Sequence, residues 1–150
     1  MARIHCEVIT AERAVFCGDV DMVVAPGIEG QLGVLPHHAP LITALSYGEL
    51  VIHREGQADE YIAIGGGFME VGADHVIILA DSAERADEID EVRAEAARRR
   101  AEELMSQQRR EAEDVARAEA ALRRSVIRLK VARRKGRRTG HTPGSDNATG

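Results

Sequence analysis

The stretch IHCEVI, residues 4–9, alternates Ile4, Cys6 and Val8 with His5 and Glu7. A period of two predicts a strand with one face buried and one face wet. DVDMVVA, residues 19–25, repeats the pattern, setting Val20, Met22 and Val24 against Asp19, Asp21 and Val23. ELVIH and EYIAIG flank REGQAD, which predicts a hairpin around residues 54–59. GFMEV and HVIILA follow, joined by GAD at 72–74 as a turn. Short strands with frequent glycine turns predict a compact β-sandwich or barrel over residues 1–84.

Near residue 84 the pattern changes. From Asp87 to Lys135 there is no Gly or Pro, and the helix formers Ala, Glu and Arg dominate. Asp87 is placed to cap a helix start by accepting a backbone N–H. Ile89, Val92, Ala96 and Leu104 mark a thin apolar stripe; Val115, Ala118, Leu122, Val126 and Leu129 mark a stronger one. Between the stripes SQQRREAED, residues 106–114, offers no strong apolar side chain and reads as a turn between antiparallel helices. A single continuous helix is the alternative, and propensity does not choose. A hairpin lets two weak stripes cover each other, whereas a lone helix leaves both in water. The chain is thus α+β: a sandwich over 1–84, a helical hairpin over 87–135, and a Gly-, Ser- and Thr-rich tail over 136–150 expected to be disordered.

Composition narrows this picture. With no Trp, 2 Phe and 2 Tyr, the core must be aliphatic. Cys6 and Cys17 form no CxxC pair and read as reduced and buried, as in a cytosolic protein. The chain begins without a signal-like segment, and no apolar run approaches a membrane span, so any membrane association is expected to be peripheral. Residues 1–83 carry 12 acidic and 3 basic side chains, whereas residues 84–135 carry 12 and 15. That asymmetry agrees with two modules.

Candidate chemistry is sparse in the first module. Gly27, Gly30 and Gly33 lack the GK[ST] of a Walker loop and the strand-turn-helix setting of a dinucleotide fingerprint, so they read as turns. Gly65, Gly66 and Gly67 suggest a bulge or tight bend. His37 and His38 are adjacent and would face opposite sides of an extended segment, and no Cys or Asp pattern completes a metal site around them. Ser46 and Ser82 have no base in view. The first module therefore reads as non-enzymatic. The second is rich in arginine, but its interspersed acids and the acidic first module argue against nucleic acid. Arg124 and Arg128, four apart, share a helix face and could hold a polyphosphate through charge-assisted hydrogen bonds.

Four motifs in order, GIEGQLGVLPHHAPL, YIAIGGGFMEV, ADEIDEVRAEAA and RAEAALRRSVIRLKVA, resemble the epsilon subunit of the F-type ATP synthase in its bacterial form. The resemblance covers about residues 2–135. It implies an N-terminal β-sandwich of about ten strands and a C-terminal antiparallel two-helix hairpin. It also implies a non-catalytic rotor subunit, peripheral on the cytoplasmic side of the bacterial inner membrane. Such a subunit binds the gamma subunit and the c-subunit ring, and its extended helices reach the alpha/beta hexamer and inhibit ATP hydrolysis. On the motif GIEGQLGVLPHHAPL the resemblance places Glu29, Gln31, Leu32 and His38 at subunit contacts. Many members are acidic where this chain has Gln31, so Glu29 is the charge expected there. No cofactor is required, but some bacterial members bind regulatory ATP through I/L-D-x-x-R-A. That motif is complete here in Ile89, Asp90, Arg93 and Ala94, with Arg100, Arg124 and Arg128 matching further family arginines. A stand-alone ATP-sensing regulatory protein is the competing reading, because it would explain the second module alone.

Overall fold

The computed structural model describes residues 2–106 and 112–139. Eight strands precede the helices: β1 (Ile4–Ile9), β2 (Ala14–Val20), β3 (Met22–Gly27), β4 (Gly30–Val34), β5 (Leu41–His53), β6 (Glu60–Val71), β7 (His75–Ala80) and β8 (Ala83–Arg85). They hydrogen-bond in the order β2-β1-β7-β6-β5-β3-β4, with β8 added beside β6. All neighbours are antiparallel except β1 and β7, which run parallel. The described residues hold eight strands where the resemblance implied about ten. EYIAIG and GFMEV, read separately in the sequence, form the single strand β6.

The triple glycine explains how one strand serves two partners. Before it, Ile62–Ile64 pair with β8; after it, Gly67–Val71 pair with β7. Gly66 and Gly67 have φ of 95° and 128°, in the left-handed half of the map. A Cβ on Gly67 would collide with the Leu79 carbonyl oxygen. The bend wraps the strands around an aliphatic core built from Ile4, Val8, Val20, Val23, Leu50, Ile52, Ile62, Met69 and Ile78, among others.

The expected alternation holds in β1, where Ile4, Cys6 and Val8 are buried. It fails in DVDMVVA. Val20, Val23 and Ala25 are buried, whereas Met22 and Val24 are only half-buried. Asp21 breaks the stretch into two strands: its N–H donates to the His53 carbonyl and its carboxylate accepts from the Glu55 N–H at 2.7 Å. The register therefore resets by one residue, which exchanges the faces. Cys17 is also exposed, contrary to expectation, because it stands on the outer face of β2; only Cys6 is buried.

After β8 a 3-10 turn (Ala86–Glu88) leads into α1 (Glu91–Ser106), and α2 spans Ala112–Thr139. Asp87 lies in the 3-10 turn, so α1 starts later than expected and Asp90 caps it instead. The start of α1 (Glu91, Glu95) lies beside the end of α2 (Arg133), so the two helices form the antiparallel hairpin. Residues 107–111 of the expected turn, and 140–150 of the expected tail, lie outside the described residues. Helix α2 itself continues to Thr139, past the Lys135 expected from the pattern.

The buried faces of the helices differ from the predicted stripes. On α1, Ala94 and Ala101 are buried while Val92 is 79% exposed. On α2, Ala118, Ser125, Leu129 and Ala132 are buried, whereas Val126 is 47% exposed. Small residues make up much of the buried face, and Val92 and Val126 stay outside it. Where α2 lies on the sandwich, Leu129, Val131 and Ala132 join Ile89, Ala94 and Ala63 in a second core. Burial of each large aliphatic there contributes about 1.5–3 kcal/mol.

Candidate functional site

Two features outside the cores merit functional reading: a cleft under the hairpin and an exposed face of the sandwich. Each arises from ordinary local rules. Asp90 Oδ1 accepts from the N–H groups of Val92 and Arg93 at 3.0 and 3.2 Å, which is N-capping. Its carbonyl accepts from the Ala94 N–H, beginning the helical ladder. Ile89 before it and Ala94 after it are buried in the second core. The Ile-Asp-x-x-Arg-Ala segment thus docks and caps α1 whatever else it does. Arg93 stands 3.8 Å from Asp90 with its side chain 84% exposed, and Arg100 is exposed on the same helix.

One turn apart on α2, Arg124 and Arg128 reach a cleft of about 250 Å³ between the hairpin and the sandwich. Gly65, Ser82 and Glu84 supply its sandwich wall, and Ala97, Ala121 and Ser125 its helical wall. Arg128 Nε stands 3.0 Å from Glu84. Its alanines leave the space open, and it is cationic on one side with a single carboxylate opposite. Deeper along α2, Arg134 binds Glu49 through two nitrogens at 3.2 Å and stacks 5.0 Å over Tyr61. The Glu49 side chain is 7% exposed, so this pair clamps the end of α2 to the sheet. The hydrogen bond to Glu49 raises the Arg134 pKa above its ordinary value.

A third ion pair fastens the linker. Arg13 in the β1–β2 turn donates to both oxygens of Glu88, at 2.9 and 2.6 Å. That hydrogen bonding holds the Glu88 carboxyl below its usual range, burial opposing it slightly.

On the sandwich, Ile28 and Glu29 form the two-residue tip between β3 and β4, and Ile28 is 65% exposed. Glu29 and Gln31 are exposed, Leu32 packs against the core, and the His38 Nδ1–H donates to the Ala39 carbonyl at 2.7 Å. Beyond this tip, Ala44, Phe68 and Leu79 lie side by side across β5, β6 and β7, and Ile9 continues the row on β1. Ile42, Phe68 and Leu79 are 73%, 60% and 56% exposed. Adjacent apolar residues left wet in this way mark a surface for a partner.

Residues 3–86 match the family model for the ATP synthase delta/epsilon chain β-sandwich domain, and residues 87–133 match that for its long α-helix domain. The ATP synthase epsilon chain of Dehalococcoides mccartyi (strain CBDB1) is 50% identical over 135 residues, covering 90% of this chain and 96% of its own. That of Herpetosiphon aurantiacus is 55% identical over 130 residues, covering 87% and 94%. The chain belongs to the epsilon-chain family of ATP synthases. Epsilon chains are non-catalytic subunits of the central stalk, and this one shares their two-domain organisation. Among solved structures, a chain of the Euglena gracilis mitochondrial ATP synthase superposes with a TM-score of 0.75 at 24% identity, covering 88% of this chain and 82% of that one. That likeness extends the agreement in fold.

Within this epsilon-family fold the expected nucleotide residues divide into three groups, with Arg100 exposed outside all of them. Arg124 and Arg128 share the cleft; Asp90 and Arg93 pair with each other at the start of α1, and Ile89 and Ala94 are packing residues. Sequence reasoning missed Glu84 and Ser82 as cleft residues and Glu49 as the clamp partner. Nothing local marks them: Glu84 meets Arg128 from 44 positions away, Glu49 meets Arg134 from 85, and Ser82 enters the cleft only when the helices dock.

Proposed function

We propose that this epsilon-family chain docks on the gamma subunit and the c-subunit ring through its sandwich, and restrains ATP hydrolysis through its hairpin. It would sit peripherally on the cytoplasmic side of the membrane, held by protein contacts. No described helix is long and apolar enough to cross a bilayer. The wet apolar face that bears Ile42, Phe68 and Leu79 supports gamma as the partner of the sandwich. The exposed tip bearing Ile28, Glu29 and Gln31 supports the ring contact.

The observation that carries regulation is the way the hairpin is fastened. Apolar contact through Leu129, Val131 and Ala132 is completed by ion pairs from Arg128 and Arg134. Such a contact can open. Leu129 and Val131, buried in the docked form, would then become available to the alpha/beta hexamer. ATP at Arg124 and Arg128 would favour the docked form through its higher affinity for that form. A tenfold preference corresponds to about 1.4 kcal/mol.

Hydrolysis by the reconstituted complex, with and without residues 88–150, tests the restraint. A faster rate without them is expected, and an unchanged rate rejects it. Calorimetric titration with ATP tests the nucleotide reading. Heat is expected from the intact chain and a large loss of it in Arg124→Ala and Arg128→Ala, with Arg93→Ala reporting whether the start of α1 takes part. Absence of heat at millimolar ATP removes the site.

A further inference from the structure

On the outer face at the β1–β2 edge, four chemically active side chains form a two-by-two block. His5 and Glu7 alternate along β1; Asp19 and Cys17 are their direct cross-strand partners on β2. Three donor atoms converge. His5 Nε2 lies 3.4 Å from Glu7 Oε1 and 3.8 Å from Cys17 Sγ, and Cys17 Sγ lies 3.9 Å from the same Glu7 oxygen.

We propose that His5 Nε2, Glu7 Oε1 and Cys17 Sγ form a binding site for a zinc-like divalent cation, with Asp19 orienting the histidine. Tetrahedral zinc with ordinary bond lengths separates nitrogen from oxygen by about 3.3 Å and sulfur from either by about 3.6 Å. The observed triangle exceeds those values by only a few tenths of an ångström. The centre of the triangle lies about 2.1 Å from each atom, close to metal–ligand distances, and side-chain movement of a few tenths of an ångström would bring the three donors to tetrahedral separations. Their mixed nitrogen, oxygen and sulfur character suits zinc or cobalt over calcium or magnesium.

The neighbourhood supports the same chemistry. Asp19 Oδ1 stands 3.0 Å from His5 Nδ1 and accepts a hydrogen bond from the Nδ1–H, which presents the Nε2 lone pair to the site. Carboxylate-held histidines are the ordinary outer shell of zinc sites. The thiol belongs to Cys17, exposed on β2, while Cys6 points into the core, where burial pushes its pKa up to about 12. The three ligands are partly exposed, so an ion can enter and a water can complete its coordination. His75, beside His5 on β7, is turned to Asp74 at 3.0 Å. Binding releases the thiol proton and staples the edge strand β2 to β1. None of this depends on the docking or regulatory roles proposed above.

The test uses the full, reduced, chelator-treated chain titrated with Co²⁺ and then Zn²⁺. One Co²⁺ per chain is expected, with a thiolate-to-cobalt charge-transfer band that Zn²⁺ abolishes. Cys17→Ser should lose the band, and His5→Ala and Glu7→Gln should weaken binding at least tenfold. Asp19→Asn should weaken it about 10- to 100-fold. In the unmutated chain, Zn²⁺ should slow alkylation of Cys17 and raise the melting temperature. A missing band, a band that survives Cys17→Ser, or unchanged alkylation at saturating Zn²⁺ overturns the proposal. All four substitutions lie on the surface, so circular dichroism is expected to show a folded chain in each.

Discussion

Asp90 shows how much one residue can carry. Its two capping bonds start α1 at a position where the sequence pattern had pointed to Asp87. Asp90→Ala should cost about 1 kcal/mol and accelerate hydrogen exchange at the amides of Val92 and Arg93, and unchanged exchange there would refute the cap. The cysteines offer a second residue-scale prediction. In the native, metal-free chain a thiol reagent should modify Cys17 and spare Cys6, with both reacting after denaturation; mass spectrometry reads the count directly. Gly67 is a third case. Gly67→Ala would force a side chain into φ of 128° at a cost of about 1–3 kcal/mol, besides its collision with the Leu79 carbonyl. Chemical denaturation should register a loss at or above that figure. The glycine bend and the burial of Cys6 were legible in the sequence, whereas the cap at Asp90 and the exposure of Cys17 were not.

At the scale of elements, the fastening of α2 is the testable feature. Arg134→Ala would leave the Glu49 carboxylate buried without its partner, at a cost of about 1–3 kcal/mol. Exchange should rise along the C-terminal half of α2 while the sandwich strands keep their protection; loss of protection throughout would contradict a local clamp. The linker pair responds to pH. Arg13 lowers the Glu88 pKa in the folded chain from its ordinary 4.5. The pair's contribution is therefore complete above that value and fades as pH falls through the lower folded value. The stability difference between the native chain and Glu88→Gln should accordingly shrink on acidification below pH 4.5. A difference independent of pH would exclude the ion pair as its source. Element types were legible because periods of two and of three to four residues differ plainly. Their faces were less so: Asp21 reset a register, and alanines displaced Val92 and Val126 from the helix interface.

For the whole molecule, the sandwich and hairpin form two cores joined by a short linker and a few ion pairs. Removal of residues 88–150 should leave the first core folded, since its buried residues all lie between Ile4 and Ala83. A cooperative melt of that fragment checks this, and a fragment without one would show the sandwich to depend on the hairpin. The sequence by itself determined the two modules, the aliphatic core and the family motifs. Those follow from periodicity, from glycine and from composition, which act over a few residues. Only the tertiary structure decided that Arg134 meets Glu49, that Arg128 meets Glu84, and that His5, Glu7 and Cys17 converge. Each such meeting depends on strand register or helix docking, which pair positions from 10 to 85 residues apart. No local pattern encodes a distance of that kind.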